Sequence, residues 1–253
     1  MDDGQIIIKS HVEPTSPEGN YILQVEGIHT YIGQFHILEN VSFQVPENSI
    51  TVLLGRNGAG KTTTLRSIMG LANVREGNIV FNNENITRRR PYHIASLGIG
   101  YVPEHRAIFR DLTVEENLRI AERKRGDLAN RLGFILDLFP DLKRLYKLGG
   151  GRLSGGQQQM LAIARALVPE NRLLLIDEPS EGLAPVIIEA MIHAIQQLSA
   201  NSTTVLLVEQ NFRMASQLAE DYVIIEEGQA VLSGKMADLV KDTATIHRYL
   251  GAA

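Results

Sequence analysis

Residues 49–70 read SITVLLGRNGAGKTTTLRSIMG, and this stretch decides the fold. It opens with Ile50–Leu54, an apolar run that predicts a buried parallel strand. The next residues, GRNGAGKT, match the pattern G-x-x-x-x-G-K-[ST] at every fixed position. The residues from Thr62 to Met69 then predict a helix whose positive end faces the loop. A strand, a glycine-rich loop and a helix in this order indicate a phosphate-binding loop in an α/β fold.

The chemistry of this loop follows from its residue types. Glycines allow backbone N–H groups to turn onto phosphate oxygens at distances that a Cβ atom would block. Lys61 supplies positive charge for the β- and γ-phosphates, and the hydroxyl of Thr62 is a ligand for Mg²⁺. The predicted nucleotide-binding residues of the stretch are Gly55, Arg56, Asn57, Gly58, Ala59, Gly60, Lys61, Thr62 and Thr63. The sequence therefore predicts binding of a nucleoside triphosphate.

Composition limits the class of protein. The 253 residues include no cysteine, which excludes disulfides, thiolate metal sites and cysteine nucleophiles. The formal charge of −4 argues against a nucleic-acid partner bound mainly through its phosphates. No apolar run approaches the roughly 20 residues that span a bilayer, and the acidic start MDDG is unlike a signal peptide. We expect a soluble, cytoplasmic chain without a nucleic-acid partner.

Patterns along the chain predict the rest of the fold. Residues 1–20 are expected to form a flexible leader, with a short strand at 6–8 as one option. Alternating segments at 21–31 and 37–45 predict an antiparallel sheet beside the core. A capping box at Thr113 and Glu116 predicts a helix to about Lys124, and residues 127–139 predict another. Residues of about 105–165 therefore form a helical insertion in one domain spanning 21–253.

A second glycine-containing stretch, LSGGQ at 153–157, precedes an apolar-periodic helix predicted over 158–168. Ser154, Gly155 and Gly156 offer a hydroxyl, two exposed N–H groups and the positive end of a helix. This arrangement can bind an anion. Taken alone, an ordinary helix cap explains the pentapeptide equally well.

Two carboxylates follow a predicted buried strand in RLLLIDE, residues 172–178. Ligands bind at the carboxyl ends of strands in open parallel sheets, which is where Asp177 and Glu178 stand. Asp177 is the natural Mg²⁺ partner of Thr62 in a phosphate-loop site. Glu178 can polarise a water in line with the γ-phosphate. The sequence thus predicts a magnesium-assisted nucleotide hydrolase.

The three motifs GRNGAGKT, LSGGQ and LLLIDE, in this order, resemble those of ATP-binding cassette (ABC) subunits. The resemblance runs from about residue 21 to the end of the chain. It implies a P-loop NTPase core of mixed sheet and helices, with an antiparallel β subdomain and a helical insertion. It also implies that two such subunits pair head to tail, holding ATP between the phosphate loop of one and Ser154, Gly155, Gly156 and Gln157 of the other. Tyr31 is then placed to stack on adenine, although packing in the core is an alternative for this ring.

Further segments resemble the ATPase subunit of branched-chain amino acid importers. They are YVPE at 101–104, DEPSEGLAP at 177–185 and LVEQN at 207–211. Such importers combine two membrane permease subunits, two ATPases that usually differ, and an external binding protein. The resemblance implies a peripheral position on the inner face of the cell membrane. Its candidates for the permease contact, which fit an ordinary core equally well, are Ala107, Ile108, Phe109 and Leu112.

Three positions depart from the general ABC pattern. Glu104 stands where a glutamine ligand is expected, so it must face the metal or stay back until the site closes. Gln210 replaces a histidine that contacts the γ-phosphate, and it can donate a hydrogen bond but cannot become cationic. Ala184 replaces an aspartate that makes a contact across the dimer. We expect slower hydrolysis at this site and two unequal ATP sites in a mixed dimer. The predicted catalytic residues are Glu178, Lys61 and Gln210, and the predicted metal ligands are Thr62, Asp177 and Glu104.

Three other functions remain open on the sequence. Related importers serve urea or short amides, and their ATPases share these motifs. A non-transport ABC ATPase acts on a macromolecular scaffold, but such proteins often carry paired cassettes or long insertions. A different P-loop enzyme, such as a kinase or a GTPase, leaves LSGGQ unexplained and would need a guanine-reading Asn-Lys-x-Asp motif that this sequence lacks.

Overall fold

A computed structural model describes residues 20–251, and within this range the chain forms ten strands, ten α-helices and one short 3₁₀ helix. The strands are β1 (Tyr21–Ile32), β2 (Phe35–Pro46), β3 (Ile50–Leu54), β4 (Asn73–Phe81), β5 (Glu84–Asn85), β6 (Ile99–Val102), β7 (Leu173–Asp177), β8 (Thr204–Glu209), β9 (Asp221–Glu226) and β10 (Gln229–Lys235). The helices are α1 (Lys61–Ile68), α2 (Pro91–Ser96), α3 (Val114–Arg119), α4 (Asp127–Leu138), α5 (Pro140–Arg144), α6 (Gly155–Ala166), α7 (Pro185–Ala200), α8 (Phe212–Leu218), α9 (Met236–Leu239) and α10 (Thr243–Leu250), and the 3₁₀ helix is Gly150–Arg152. Among these helices, none combines the length and apolar composition needed to cross a bilayer.

Two sheets pack on each other. The first is antiparallel, in the order β2-β1-β4-β5, as the alternating segments near the amino terminus predict. The second has the order β10-β9-β3-β8-β7-β6, and its strands from β9 to β6 run parallel. Only β10 is antiparallel to its neighbour, because a tight turn at Glu227 and Gly228 returns the chain beside β9. The mixed sheet, antiparallel sheet and helices confirm the predicted fold class.

The central strands are apolar because both of their faces are covered. Every residue of β3, β7 and β8 is buried, as expected for parallel strands between two layers. Along β3, Leu53 packs toward the antiparallel sheet, while Val52 and Leu54 pack toward the helices. This placement brings the carboxyl ends of β3, β7 and β8 to one edge of the sheet, where the three predicted catalytic loops begin.

The predicted element boundaries need several corrections. The capping box at Thr113 is present, but α3 ends at Arg119 and not near Lys124. The reason is local, because the N–H groups of Arg123 and Lys124 bond to the side chain of Asp127 and not to helical carbonyls. α6 starts at Gly155, three residues before the predicted residue 158. The leader and its optional strand at 6–8 lie outside the described residues, apart from Asn20.

Candidate functional site

The phosphate loop connects β3 to α1 and contains two tightly packed glycines. A Cβ atom on Gly55 would lie 2.2 Å from the carbonyl oxygen of Ile225, and one on Gly60 would lie 2.7 Å from the side chain of Leu38. Gly60 has a φ of 110° and caps α1 without any side-chain hydrogen bond. The first turn of α1 therefore keeps its backbone N–H groups available to an anion.

Lys61 lies inside the loop with only 3% of its surface exposed. Its ammonium donates to the carbonyl oxygens of Gly55 at 2.9 Å and Arg56 at 3.0 Å. It also lies 3.2 Å from the Oε1 atom of Glu178. The loop thus holds a buried positive charge next to the predicted phosphate site, where a phosphate oxygen can replace a weaker partner.

Asp177 meets two hydroxyl groups at the end of β7. Thr62 Oγ1 donates to its Oδ1 atom at 3.0 Å, and the Tyr101 hydroxyl donates to its Oδ2 atom at 3.3 Å. Asp177 is fully buried, and this burial raises its pKa to about 6, with the charge of Glu178 contributing in the same direction. Burial likewise raises the pKa of Tyr101. An unpaired buried carboxylate is costly, so the site favours a cation here.

The donor atoms fit Mg²⁺. Thr62 and Asp177 place a hydroxyl and a carboxylate oxygen side by side, and both are hard ligands of the kind that Mg²⁺ prefers. Among the described residues, no group of three or more acidic, histidine or cysteine side chains is arranged to hold a metal by itself. Mg²⁺ usually keeps waters and substrate phosphates as further ligands, so two protein oxygens are sufficient.

Glu178 follows β7 in a left-handed backbone conformation, with a φ of 43°. Its carboxylate bridges two side chains, because Gln210 Nε2 donates to Oε2 at 2.5 Å and Lys61 lies beside Oε1. A non-glycine residue in this conformation stores strain that the surrounding structure must hold, as is common at active sites. The structure therefore brings together all three predicted catalytic residues, Glu178, Lys61 and Gln210.

Glu209 was missed by the sequence reasoning, yet it organises the two loops beside Glu178. Its side chain is only 1% exposed. It accepts hydrogen bonds from the N–H and hydroxyl of Ser180, and from the N–H groups of Gln210 and Asn211. Burial raises its pKa, and these bonds act in the opposite direction. The sequence signal that could have identified it is a glutamate that directly follows the apolar run 205–208 at the end of β8.

A cavity of about 280 Å³ opens at the phosphate loop. Its lining residues are Ile37, Asn57, Gly58, Gly60, Lys61, Thr62, Thr63, Glu104, Glu178 and Glu181. Three of them are carboxylates and one is an ammonium, so a bound phosphate needs a further cation to offset repulsion. Glu104 also lines the neighbouring cavity of about 450 Å³ and is 33% exposed. Its role as a metal ligand stays a prediction.

Tyr31 is covered on both faces of its ring. The His36 ring stacks on it at 4.4 Å with an interplanar angle of 2°, and the Arg75 guanidinium lies 3.9 Å from its centroid. Adenine stacking on Tyr31, as the resemblance implies, therefore requires one of these two side chains to move. The contact with adenine stays a prediction.

The signature residues lie at the start of α6. Ser154 Oγ accepts from the N–H of Gln157 at 3.3 Å, and Gln157 Oε1 accepts from the N–H of Ser154 at 2.9 Å. Gly156 packs so closely on α7 that a Cβ atom would lie 2.8 Å from the side chain of Ile187. Ser154 and Gly155 are exposed, and the phosphate-loop cavity includes none of these residues.

The four candidates for a permease contact divide by exposure. Ala107 and Phe109 are exposed, and Phe109 lies beneath the Arg165 guanidinium at 4.8 Å. Ile108 and Leu112 are half-buried, and Ile108 packs against the helical core. Ala107 and Phe109 are therefore the residues that remain available to a partner.

Known proteins share the sequence and the geometry. Residues 38–181 match the protein family described as ABC transporter. The chain is 39% identical to the branched-chain amino acid transport ATP-binding protein BraG of Pseudomonas aeruginosa, over 91% of this chain and all of that protein. It is 38% identical to the probable branched-chain amino acid transport protein LivF of Archaeoglobus fulgidus, over 82% of this chain and 89% of that one.

Other similarities are broader. The lipopolysaccharide export ATP-binding protein LptB of Haemophilus influenzae is 32% identical over 91% of this chain and 97% of its own. A crystal structure of a nucleotide-free ATP-binding cassette from an ABC transporter, 26% identical, superposes with a TM-score of 0.81 over 91% of this chain and 97% of that chain. The fold, the motifs and these matches agree. The chain therefore belongs to the ABC transporter family and is an ATP-hydrolysing, ATP-binding subunit.

Proposed function

We propose that this subunit powers the import of branched-chain amino acids. The substrate is inferred from the similarity to BraG and LivF, whose names specify branched-chain amino acid transport. LptB and the sulfate/thiosulfate importer CysA of Neisseria meningitidis are also relatives, at 32% and 30% identity. The higher identity to BraG and LivF favours the amino acid over these cargoes. The sequence motifs YVPE and LVEQN support the same choice.

Backbone and side-chain groups at the phosphate loop perform the proposed hydrolysis. The N–H groups of α1 and the Lys61 ammonium bind the β- and γ-phosphates of ATP. Mg²⁺, when held by Thr62 and Asp177, neutralises phosphate charge. Glu178 accepts a proton from the attacking water, and its bond to Gln210 orients the carboxylate. Since Glu178 is also beside Lys61, binding of phosphate by the lysine frees one carboxylate oxygen for the water.

Completion of the site requires a second subunit. The phosphate-loop cavity contains no signature residue, while Ser154 and Gly155 lie exposed at the start of α6. We infer that α6 of a partner ATPase, either a sibling chain or a second copy, closes over the γ-phosphate. Closure then moves a permease segment docked near Ala107 and Phe109. The assembly works at the inner face of the cell membrane and receives its cargo from an external binding protein.

Two alternatives make different predictions. A urea or amide importer would share this ATPase mechanism but respond to a different permease. A non-transport ABC ATPase would hydrolyse ATP on a macromolecular scaffold, without any permease. Similarity to proteins named for branched-chain amino acid transport favours import over both.

Reconstitution tests the proposal. The chain is co-expressed with a candidate permease pair and a sibling ATPase, the complex is placed in vesicles that contain ATP, and the candidate external binding protein is added outside them. We expect ATP hydrolysis to be low for the isolated chain and to rise at least tenfold in the complex. Unlabelled isoleucine and valine should lower the uptake of labelled leucine, and urea should not. Glu178→Gln in both ATPases should abolish uptake while ATP remains bound, and Glu170→Gln, at an exposed carboxylate outside this cavity, serves as the matched control.

The outcomes separate the candidates. Uptake of urea without uptake of leucine supports the amide importer. Full ATP hydrolysis by the isolated chain, unchanged by the permease, contradicts a transport role. Our inference that Gln210 slows hydrolysis is tested by Gln210→His, which should raise the rate of this subunit's site in the complex. Equal rates at the glutamine and histidine sites would disprove unequal sites.

A further inference from the structure

Three side chains form a stack across the antiparallel sheet: His36 on β2, Tyr31 on β1 and Arg75 on β4. Tyr31 and His36 lie directly opposite each other in the strand pairing. Their rings are nearly parallel, with an interplanar angle of 2° and centroids 4.4 Å apart. The Arg75 guanidinium lies 3.9 Å from the centroid of the Tyr31 ring. The order of the stack follows the order of the strands, β2-β1-β4, so His36 and Arg75 cover opposite faces of the ring.

Only one face of the Tyr31 ring is turned toward the phosphate loop. The loop end of α1 packs against β2, because a Cβ atom on Gly60 would lie 2.7 Å from the side chain of Leu38. Thr30 on β1 meets Ser67 near the other end of α1, with their hydroxyl oxygens 2.9 Å apart. Strand β4 lies beyond β1 in the sheet. A nucleotide with its phosphates in the loop therefore reaches the Tyr31 ring from the β2 side.

His36 occupies the ring face on that side. Its side chain is exposed, and the neighbouring Ile37 lines the phosphate-loop cavity. The Nε2 atom of His36 lies 3.1 Å from Nδ1 of His29, and this hydrogen bond holds the imidazole in place. A base that packs on a tyrosine also adopts a stacked arrangement of two rings. Adenine and the His36 imidazole therefore compete for the same face of Tyr31.

Arg75 covers the face that is turned away from the phosphate loop, so it does not obstruct a nucleotide. The faces of an aromatic ring carry partial negative charge, which attracts a guanidinium. The cation restrains the orientation of the Tyr31 ring. It also draws electron density toward its own side, which lowers the repulsion between the opposite face and a second ring. Arg75 can therefore keep its position when a base stacks on Tyr31.

We propose that His36 blocks the base-binding face of Tyr31 and that Arg75 positions the ring for the base. When ATP binds, its adenine displaces His36 from the ring. The guanidinium of Arg75, the Tyr31 ring and adenine then form one continuous stack. The inference rests on the proposed binding of ATP at the phosphate loop and Tyr31. It adds two side chains with opposite effects on that binding.

Isothermal titration of the full 253-residue chain with ATP and with tripolyphosphate, both in the presence of Mg²⁺, tests these roles. His36→Ala removes the competing ring and should raise the affinity for ATP about threefold. Arg75→Ala should lower it about threefold, as expected for the loss of one exposed cation–π contact. Neither variant should change the affinity for tripolyphosphate, which has the phosphates but no base. Arg90→Ala removes another exposed arginine and should change neither affinity.

Proton NMR of the imidazole groups follows His36 directly. The His36 protons lie in the ring current of Tyr31, so displacement by adenine should shift their resonance, whereas tripolyphosphate should leave it in place. The spectrum of His36→Ala identifies this resonance among the seven histidines. The exposed His193 on α7 is the internal control.

The outcomes separate this inference from the proposed function. A lower affinity for ATP in His36→Ala would overturn the inference, because His36 would then support the base. Equal ATP affinities for the parent, His36→Ala and Arg75→Ala would overturn it as well. If Arg75→Ala weakens tripolyphosphate as much as ATP, the arginine acts on the phosphates through its charge and does not position the ring. A parent chain that binds neither ligand would contradict the proposed nucleotide site itself.

Discussion

Helices α1 and α6 both begin at glycine-rich loops, but only α6 has side chains that hydrogen-bond to the backbone of its first turn. Helix α1 follows Gly60, which has a left-handed conformation and makes no side-chain cap. Helix α6 follows Ser154, whose hydroxyl and whose partner Gln157 form a reciprocal capping box. The first helix leaves its N–H groups open next to a buried lysine. In α6, the Ser154 hydroxyl already accepts a hydrogen bond from one N–H group of the first turn.

This difference indicates that the two helices bind ATP at different stages. An anion can enter the α1 end without breaking any side-chain cap, and Lys61 is already held in the loop by two carbonyl oxygens. An anion that reaches Ser154 must compete with the bond from the N–H of Gln157, which is long at 3.3 Å. We infer that α1 binds ATP in a single chain, whereas α6 contributes only when a second subunit presents the phosphate.

The sharpest test of this difference compares Lys61→Ala with Ser154→Ala in the isolated chain. Lys61→Ala should weaken ATP binding at least about 100-fold, because a buried positive charge next to the phosphates is lost. Ser154→Ala should change it less than twofold. Equilibrium dialysis at a protein concentration that keeps the chain monomeric measures both. Lys241→Ala removes an exposed lysine and controls for loss of charge. An equal loss of affinity in both variants would mean that one chain completes its own site.

A second test uses the pH dependence of the α1 half. Burial raises the pKa of Asp177 to about 6, compared with about 4 for an aspartate in an unfolded chain. Between these values the folded chain keeps a proton that the unfolded chain has lost, so the free energy of unfolding falls as the pH rises from about 4 to 6. Above about pH 6, Asp177 causes no further fall in the free energy of unfolding.

Asp177→Asn removes the buried charge and keeps an acceptor for Thr62. Without nucleotide, we expect the variant's free energy of unfolding at pH 7 to exceed that of the parent by about 3 kcal/mol, with no difference near pH 4. Urea denaturation across this pH range measures it. With Mg²⁺ and ATP present the order should reverse, because the ligand stabilises only the parent. Parallel pH profiles for the two proteins would contradict the raised pKa, and Ser154→Ala should leave the profile of the parent unchanged.

A third test addresses the contacts that connect the two halves. Gly156 of the signature packs on Ile187 of α7, and the loop before α7 contains Ser180, which bonds to Glu209. Glu209 also holds Gln210, the residue that donates to Glu178. Glu209→Gln replaces acceptors with an amide that cannot accept from every donor now bonded to the carboxylate.

We expect Glu209→Gln to lower kcat about tenfold in the assembled complex and to leave the KM for ATP within twofold, since no phosphate contact changes. Steady-state hydrolysis in the vesicles gives both constants. Glu170→Gln, at an exposed carboxylate outside the phosphate-loop cavity, is the matched control. A rise in KM with unchanged kcat would show that Glu209 supports binding and does not position the catalytic loops.

The fold could be predicted where a local pattern is strong. The strands β3 and β7 appear within about one residue of their predicted limits, because continuous apolar runs are typical of buried parallel strands. The helices α2 and α5 were not predicted. Each has only five or six residues and begins with a proline, so neither offers the repeating apolar pattern that identifies a helix.

The residues of the candidate site also fall into two groups, those that a local sequence motif identifies and those that it does not. The sequence identified Lys61, Thr62 and Asp177 from motifs whose spacing reflects their chemistry. It missed Tyr101, whose contact with Asp177 depends on β6 lying beside β7 in the sheet. Strand order is a property of tertiary packing, and no local spacing encodes it. The coverage of Tyr31 by Arg75 is another contact between strands, since these residues lie on β1 and β4.

The smallest expected effect separates a cap that only stabilises from one that also binds. Thr113 and Glu116 form a capping box at α3 of the same kind as Ser154 and Gln157 at α6. Thr113→Ala and Ser154→Ala should each lower the free energy of unfolding by about 1 kcal/mol, since each removes one acceptor for a helix N–H group. Thermal and urea denaturation compare them. In the assembled complex, hydrolysis per folded chain should stay within twofold for Thr113→Ala and fall markedly for Ser154→Ala. If both variants hydrolyse ATP equally well, the serine is only a helix cap, and the partner helix must act on ATP through its glycine N–H groups alone.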